Sequence, residues 1–176
     1  MDRPGDQATS NVAKQDVLTA FSRNRPPRWR DSALSNAGHT SPKMTTTGAA
    51  KETARILIVD DEPAIREVLR QALMAEGFEV EMARNGTEAV KHVREGAFDL
   101  VLTDLIMPGK DGIQTILELR AVDPRIQIIA MSGGIVSGGG DFLPLARQLG
   151  ARTVLSKPFE YRVFMDSVRD ALGIAA

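Results

Sequence analysis

The sequence predicts an α/β protein: a doubly wound, five-stranded parallel sheet with helices on both faces. Three observations lead there. From Arg55 onward, five short β-rich runs alternate with amphipathic helical stretches. The first run, residues 55–59, is apolar at four of its five positions, as suits a strand covered on both faces. Acids or a lysine stand directly after the first, third and fifth runs, where the strand ends of an open parallel sheet lie together.

Each element follows from its own pattern. After the first strand, Pro63 suits the first turn of a helix. Ile65, Val68, Leu69, Ala72 and Leu73 then recur at helical spacing along one face. Gly77 ends that helix, and residues 78–82 alternate as a second strand. Asn85 and Gly86 turn the chain into a second helix with Ala89, Val90 and Val93 inside. Residues 98–103 form the third strand. Ile113, Ile116, Leu117, Leu119 and Arg120 mark a third helix, closed near Asp123 and Pro124. The fourth strand is residues 126–131, and residues 141–149 form a short helix that tolerates Pro144 in its first turn. Residues 153–155 are the fifth strand, and Phe164, Val168, Ala171 and Leu172 stripe the last helix. Right-handed crossovers turn this βα alternation into the doubly wound sheet.

Residues 1 to about 53 read differently. They are rich in Ser, Thr, Asn, Pro and Gly, and hold eight Lys and Arg against five Asp and Glu, a net +3. The remainder, with 14 against 18, carries −4. Such a segment buries too little apolar surface to offset its ordering entropy, so a disordered tail is the expectation, with the folded domain over residues 54–176. Residues 23–30 are basic around Trp29, a docking or RNA-contacting pattern that is also that of a solvated tail. Val17, Leu18 and Phe21 make one apolar helical turn, too little to hold a helix alone. Met44 stands before the first strand and offers an alternative translation start.

Composition removes several classes. With no cysteine there is no disulfide, thiolate nucleophile or zinc–thiolate site, which fits a reducing compartment. A net charge of −1 implies no bulk attraction to nucleic acid or membrane. No apolar run approaches the ~20 residues of a membrane span, and the N-terminus lacks a signal-peptide stretch, so the expected compartment is the cytoplasm.

The chemistry concentrates at Asp60, Asp61, Asp104 and Lys157. Gathered on one sheet edge, three carboxylates repel one another unless a cation relieves them. Hard oxygen ligands suit Mg²⁺. Acids after a strand also serve simply as partners of a helix N-terminus. Asp104 is followed by Met107, Pro108 and Gly109, then Asp111 and Gly112, turn residues that expose a carboxylate and let backbone approach a ligand. An accessible Asp beside a cation is a nucleophile toward phosphorus, with an acyl phosphate as product. Ser132 offers a hydroxyl to a phosphoryl oxygen, although Ser before Gly133 is also a loop former. Lys157 pairs with Asp104 beforehand and with phosphoryl oxygens afterwards. Pro158 makes a cis Lys157–Pro158 bond available.

Asp60-Asp61, Asp104, Ser132 and Lys157, at the ends of strands one, three, four and five, resemble the receiver domain of two-component response regulators, with its flavodoxin-like (βα)5 fold. The resemblance covers residues about 54–175 and fills all five motif positions. It implies that Asp104 accepts a phosphoryl group from a sensor histidine kinase or histidine phosphotransfer protein. It implies that Asp61, Asp104 and the backbone carbonyl of Ile106 ligate Mg²⁺, or Mn²⁺ in its place, with Asp60 acting directly or through water. Ser132, Gly133 and Lys157 would bind the phosphoryl group.

Three departures from the family pattern stand out. Val154 replaces the usual aromatic switch residue on strand five. Residues 133–140 are unusually glycine-rich, and no Gly-Lys-Ser/Thr closes them as a P-loop would. Ile106 and Gly134 offer no polar side chain at the two positions that influence attack by water, which implies slow loss of the phosphate. With no output domain after the last helix, the expectation is a stand-alone receiver without a DNA-binding domain. It would act by partner binding through the helix-four, strand-five, helix-five face or by passing the group on. The alternative class is an Mg²⁺-dependent phosphohydrolase with an Asp nucleophile, but Ile106 stands where that pattern needs a second Asp.

Overall fold

The computed structural model describes residues 53–107, 112–133 and 142–174. The basic run at 23–30, the Met44 start, the turn at 108–111 and most of the glycine-rich stretch, including Gly134, lie outside the described residues. The elements are β1 (Arg55–Val59), α1 (Pro63–Ala75), β2 (Glu79–Ala83), α2 (Gly86–Glu95), β3 (Leu100–Asp104), α3 (Gly112–Val122), β4 (Gln127–Ser132), α4 (Phe142–Gln148), β5 (Thr153–Ser156) and α5 (Tyr161–Ala171). The five strands form one sheet in the order β2-β1-β3-β4-β5. Every pairing is parallel. This is the doubly wound flavodoxin-like fold that the alternation predicts.

Two apolar layers sandwich the sheet. On one face, Ile56, Ile58, Leu100, Leu102, Ile129, Met131 and Leu155 meet α1 and α5 through Ile65, Leu69, Phe164 and Val168. On the other, Leu57, Val59, Val101, Ile128 and Ala130 meet α2, α3 and α4 through Val90, Ile116, Leu119 and Ala146. Alternate residues of each central strand thus face opposite cores, which is why those strands read as continuous apolar runs.

Local chemistry sets the element ends. Asn85 caps α2 by accepting from the Glu88 amide at 2.9 Å, and Glu88 accepts in return from the Arg84 amide at 2.9 Å. Gly112 opens α3 hard against the end of β3. A Cβ there would lie 2.2 Å from the Asp104 carbonyl oxygen, so only glycine fits. That contact brings the start of α3 up to the strand end that carries Asp104.

Several boundaries differ from the sequence reading. β2 is shifted one residue later, and β3 runs Leu100–Asp104, so Asp104 is the strand's last residue rather than the residue after it. Ser132 likewise belongs to β4, opposite Ser156 of β5, because the ladder continues to the sheet edge. Leu117, one of the residues that mark the third helix, is exposed; the buried face of α3 is Gly112, Thr115, Ile116 and Leu119. Met165, absent from the expected stripe of α5, is buried with Phe164 and Val168. No helix among the described residues is long and apolar enough to cross a membrane.

Candidate functional site

The carboxyl ends of β1, β3, β4 and β5 converge on one buried polar pocket. The parallel register places Asp104 opposite Met131, and β4 and β5 end together at Ser132 and Ser156. The topology therefore brings Asp60, Asp61, Asp104, Ser132, Gly133 and Lys157 to one edge, as the sequence predicts. Asp60, Asp104, Ser132 and Lys157 are buried, while Asp61 and Gly133 are half-buried.

Lys157 is the electrostatic centre. Its Nζ donates to Asp60 Oδ2 and to Asp104 Oδ2, both at 2.8 Å. The peptide between Lys157 and Pro158 is cis. The Lys157 amide donates to the Ser132 carbonyl at 2.6 Å, tying the lysine's backbone to the end of β4. Backbone amides hold the other carboxylate oxygens: Glu62 N–H to Asp60 Oδ1 at 2.9 Å, and Ile106 N–H to Asp104 Oδ1 at 3.1 Å.

Burial pushes the Asp104 carboxyl above its ordinary range, and the Asp60 charge adds to this; the Lys157 ammonium and the Ile106 amide offset only part of it. Burial acts to lower the Lys157 ammonium, but the Asp104 and Asp60 carboxylates outweigh it and hold it above its usual value. Asp60 and Asp104 share that one ammonium, two buried carboxylates to a single buried cation among the described residues.

That shortage is the test of whether a divalent cation fits. Asp60, Asp61 and Asp104 each present a carboxylate oxygen, all within 4.8 Å of one another. An all-oxygen donor set of this charge suits Mg²⁺ or Mn²⁺. A cation there would relieve the cost of ionising Asp104. The residues present fit the ion.

Val154, at the position where an aromatic was expected, is half-buried and packs with the α2–α3–α4 layer. Ile106 is half-buried against the same layer. Two arginines escaped the sequence reading as bearing on the sheet edges. Arg66 of α1 donates through Nη1 to the Asp60 carbonyl. Arg120, read only as part of a helical stripe, donates through Nη1 to the Pro124 carbonyl at 2.7 Å and through Nη2 to the Gly150 carbonyl, joining the end of α3 to the α4–β5 connection. Gly150 has φ +103°, and a Cβ there would meet Arg120 Nε at 2.9 Å.

The profile of the response regulator receiver domain matches residues 56–169. The chain belongs to that family. This receiver is 36% identical over 118 residues to the sporulation initiation phosphotransferase F of Bacillus subtilis, covering 67% of this chain and 90% of that protein. It is 35% identical over 120 residues to the chemotaxis protein CheY of the same organism, covering 68% and 98%. Among solved structures, the response regulator protein TrrA of Thermotoga maritima, in complex with Mg²⁺ and BeF, aligns with a TM-score of 0.61 at 35% identity, over 68% of this receiver and 100% of that chain. Longer transcriptional regulatory proteins match as well, but the receiver spans only 52% of one and 27% of another. The domain is that of two-component response regulators, and it occurs both alone and within larger proteins.

Proposed function

We propose that Asp104 accepts a phosphoryl group from the phosphohistidine of a sensor histidine kinase or histidine phosphotransfer protein. The observation that carries this reading is the buried bridge of Lys157 between Asp60 and Asp104, beside a third acid, at the end of β3. An oxygen of the Asp104 carboxylate attacks phosphorus, the new O–P bond forms, and the P–N bond to the donor imidazole breaks. The imidazole leaves with the bonding electron pair and takes up a proton. Asp60, Asp61, Asp104 and the Ile106 carbonyl hold Mg²⁺, with Mn²⁺ able to replace it. When bound, the cation neutralises charge on the transferring group. Lys157 turns from the carboxylate to a phosphoryl oxygen, and the Ser132 hydroxyl and Gly133 amide donate to the others. The Mg²⁺–BeF complex of TrrA supports the same use of the pocket here.

The receiver domain begins near residue 54, and it works in the cytoplasm. It signals rather than turning over an external substrate. Exposed Leu145 of α4 and Val163 of α5, on the two helices that contact β5, support a phosphorylation-dependent partner surface. The phosphoryl group biases that surface between two states or is passed on to a second histidine protein. The Ile106 side chain brings no polar atom toward an attacking water, so the acyl phosphate hydrolyses slowly. Ile106→Asn should raise its rate of loss, by less than the ~100-fold at which full general-base catalysis begins; an unchanged half-life of the phosphorylated protein would contradict this.

The test is incubation of wild type and Asp104→Asn with acetyl phosphate and Mg²⁺, read by intact mass. Wild type alone should gain one phosphoryl mass. Failure of wild type to gain it, or equal gain by Asp104→Asn, would refute the reading.

A further inference from the structure

The turn that carries two of the three acids is shaped in part by the Asp60 carboxylate itself. Residues 60–62 link β1 to α1, and the helix N-cap, Glu62, makes no side-chain capping bond. The Asp60 amide reaches the Ala83 carbonyl only at 3.3 Å. Within the turn, the Glu62 amide donates to Asp60 Oδ1 at 2.9 Å, while Asp60 Oδ2 is taken by Lys157 at 2.8 Å. Both oxygens of the Asp60 carboxylate are therefore engaged. Each oxygen keeps a lone pair for a cation, but a cation that shares an oxygen draws on the charge its present bond uses. On the turn side, the bond weakened in this way is the one that shapes the turn.

Arg66 supplies a hold that does not use the carboxylate. It lies in the first turn of α1, its amide bonded to the Glu62 carbonyl at 3.2 Å. Its guanidinium reaches back to the Asp60 carbonyl. Half-buried, it ties the body of the helix to the first residue of the turn and spans Asp61 and Glu62.

We propose that Arg66 is a positioning residue for the acid pocket, keeping the Asp60–Glu62 turn in shape while the Asp60 carboxylate takes on a cation. The inference rests on the cation reading given above. It also makes a prediction opposite in sign to plain electrostatics. A guanidinium beside the pocket repels a divalent cation, so removing its charge would by itself tighten binding. Removing a positioning bond should weaken binding, as loss of the groups that orient metal ligands does.

The experiment is calorimetric titration of Mg²⁺ into the full chain as wild type, Arg66→Ala and Arg66→Lys, with thermal melting in the absence of the cation. Arg66→Ala should bind about tenfold more weakly, at the low end of what such orienting partners contribute, with its cation-free melting temperature little changed. Arg66→Lys keeps the charge but loses the fork, and should fall between the two. If Arg66→Ala melts below the assay temperature, Arg66→Lys carries the test alone, and wild-type affinity in it overturns the proposal. Binding by Arg66→Ala as tight as wild type, or tighter, also overturns it while leaving the cation reading intact. No binding by wild type overturns both.

Discussion

At the carboxyl edge of the sheet, Lys157 meets Asp60 and Asp104 at 2.8 Å with the ammonium and both carboxylates sealed from solvent. At the amino edge, Arg55 meets Glu81 at 2.6 Å and Glu79 at 3.7 Å, and Arg152 meets Asp170 at 3.4 Å, with every one of these side chains more than a third exposed. The residue types are alike, and the settings are opposite. Exposed pairs at the amino edge are nearly balanced in sign and screened by water, so each contributes between nothing and about 1 kcal/mol. The pocket at the carboxyl edge has excess negative charge in a low dielectric, where a missing partner is expensive. Burial and imbalance, rather than the presence of acids, separate a reactive edge from a solvated one.

Removing the buried ammonium should break this contrast most severely. Lys157→Met leaves two buried carboxylates without their cation, and should lower stability by about 3–5 kcal/mol at neutral pH without divalent ions. Urea denaturation measures this, and added Mg²⁺ should restore part of the loss. A loss below about 1 kcal/mol would place the pocket in the same class as the amino edge.

Removing an acid should act the other way. The folded-state pKa of Asp104 is raised, so its ionised form costs stability. That cost is absent at pH below the ordinary value of 3.8, grows as pH rises through the raised folded value, and is complete above it. Asp104→Asn should therefore be more stable than wild type at neutral pH without Mg²⁺, by about 1 kcal/mol, a gain typical of relieved strain at a functional site. The advantage should vanish toward the acid end of a stability–pH series. Equal stability at every pH would contradict the assignment of strain to Asp104.

The smallest effect belongs to the amino edge. Arg152→Ala should change stability by less than about 1 kcal/mol, and the difference should shrink further in high salt. A larger, salt-insensitive loss would mean that this edge too holds a partly buried charge network.

The strands were legible because the sheet is covered on both faces. Residues 56–59 and 100–102 are uniformly apolar, and parallel topology then places the strand-end residues on one edge. Asp60, Asp61, Asp104, Ser132 and Lys157 could be named as a set for that reason. The boundaries slipped where the ladder outlasts the apolar run, as at Ser132. The buried face of α3 was not selected by spacing, because its apolar residues are not confined to one side: Leu117 is exposed while Ile116 and Leu119 are buried. Arg66 and Arg120 were illegible as site and loop supports for another reason. Each donates to main-chain carbonyls that only folding brings near, and an arginine's choice of carbonyl leaves no mark in sequence. The positive φ of Gly150, which makes room for Arg120, is visible only in the backbone.

The most direct test of the central claim is to locate the modification. Wild type treated with acetyl phosphate and Mg²⁺ is trapped by borohydride reduction of the acyl phosphate, then digested and mapped by mass spectrometry. The account predicts a single modified residue, Asp104, dependent on Mg²⁺. Modification of Asp60, Asp61 or an acid of the amino edge in its place, or modification indifferent to Mg²⁺, would contradict it.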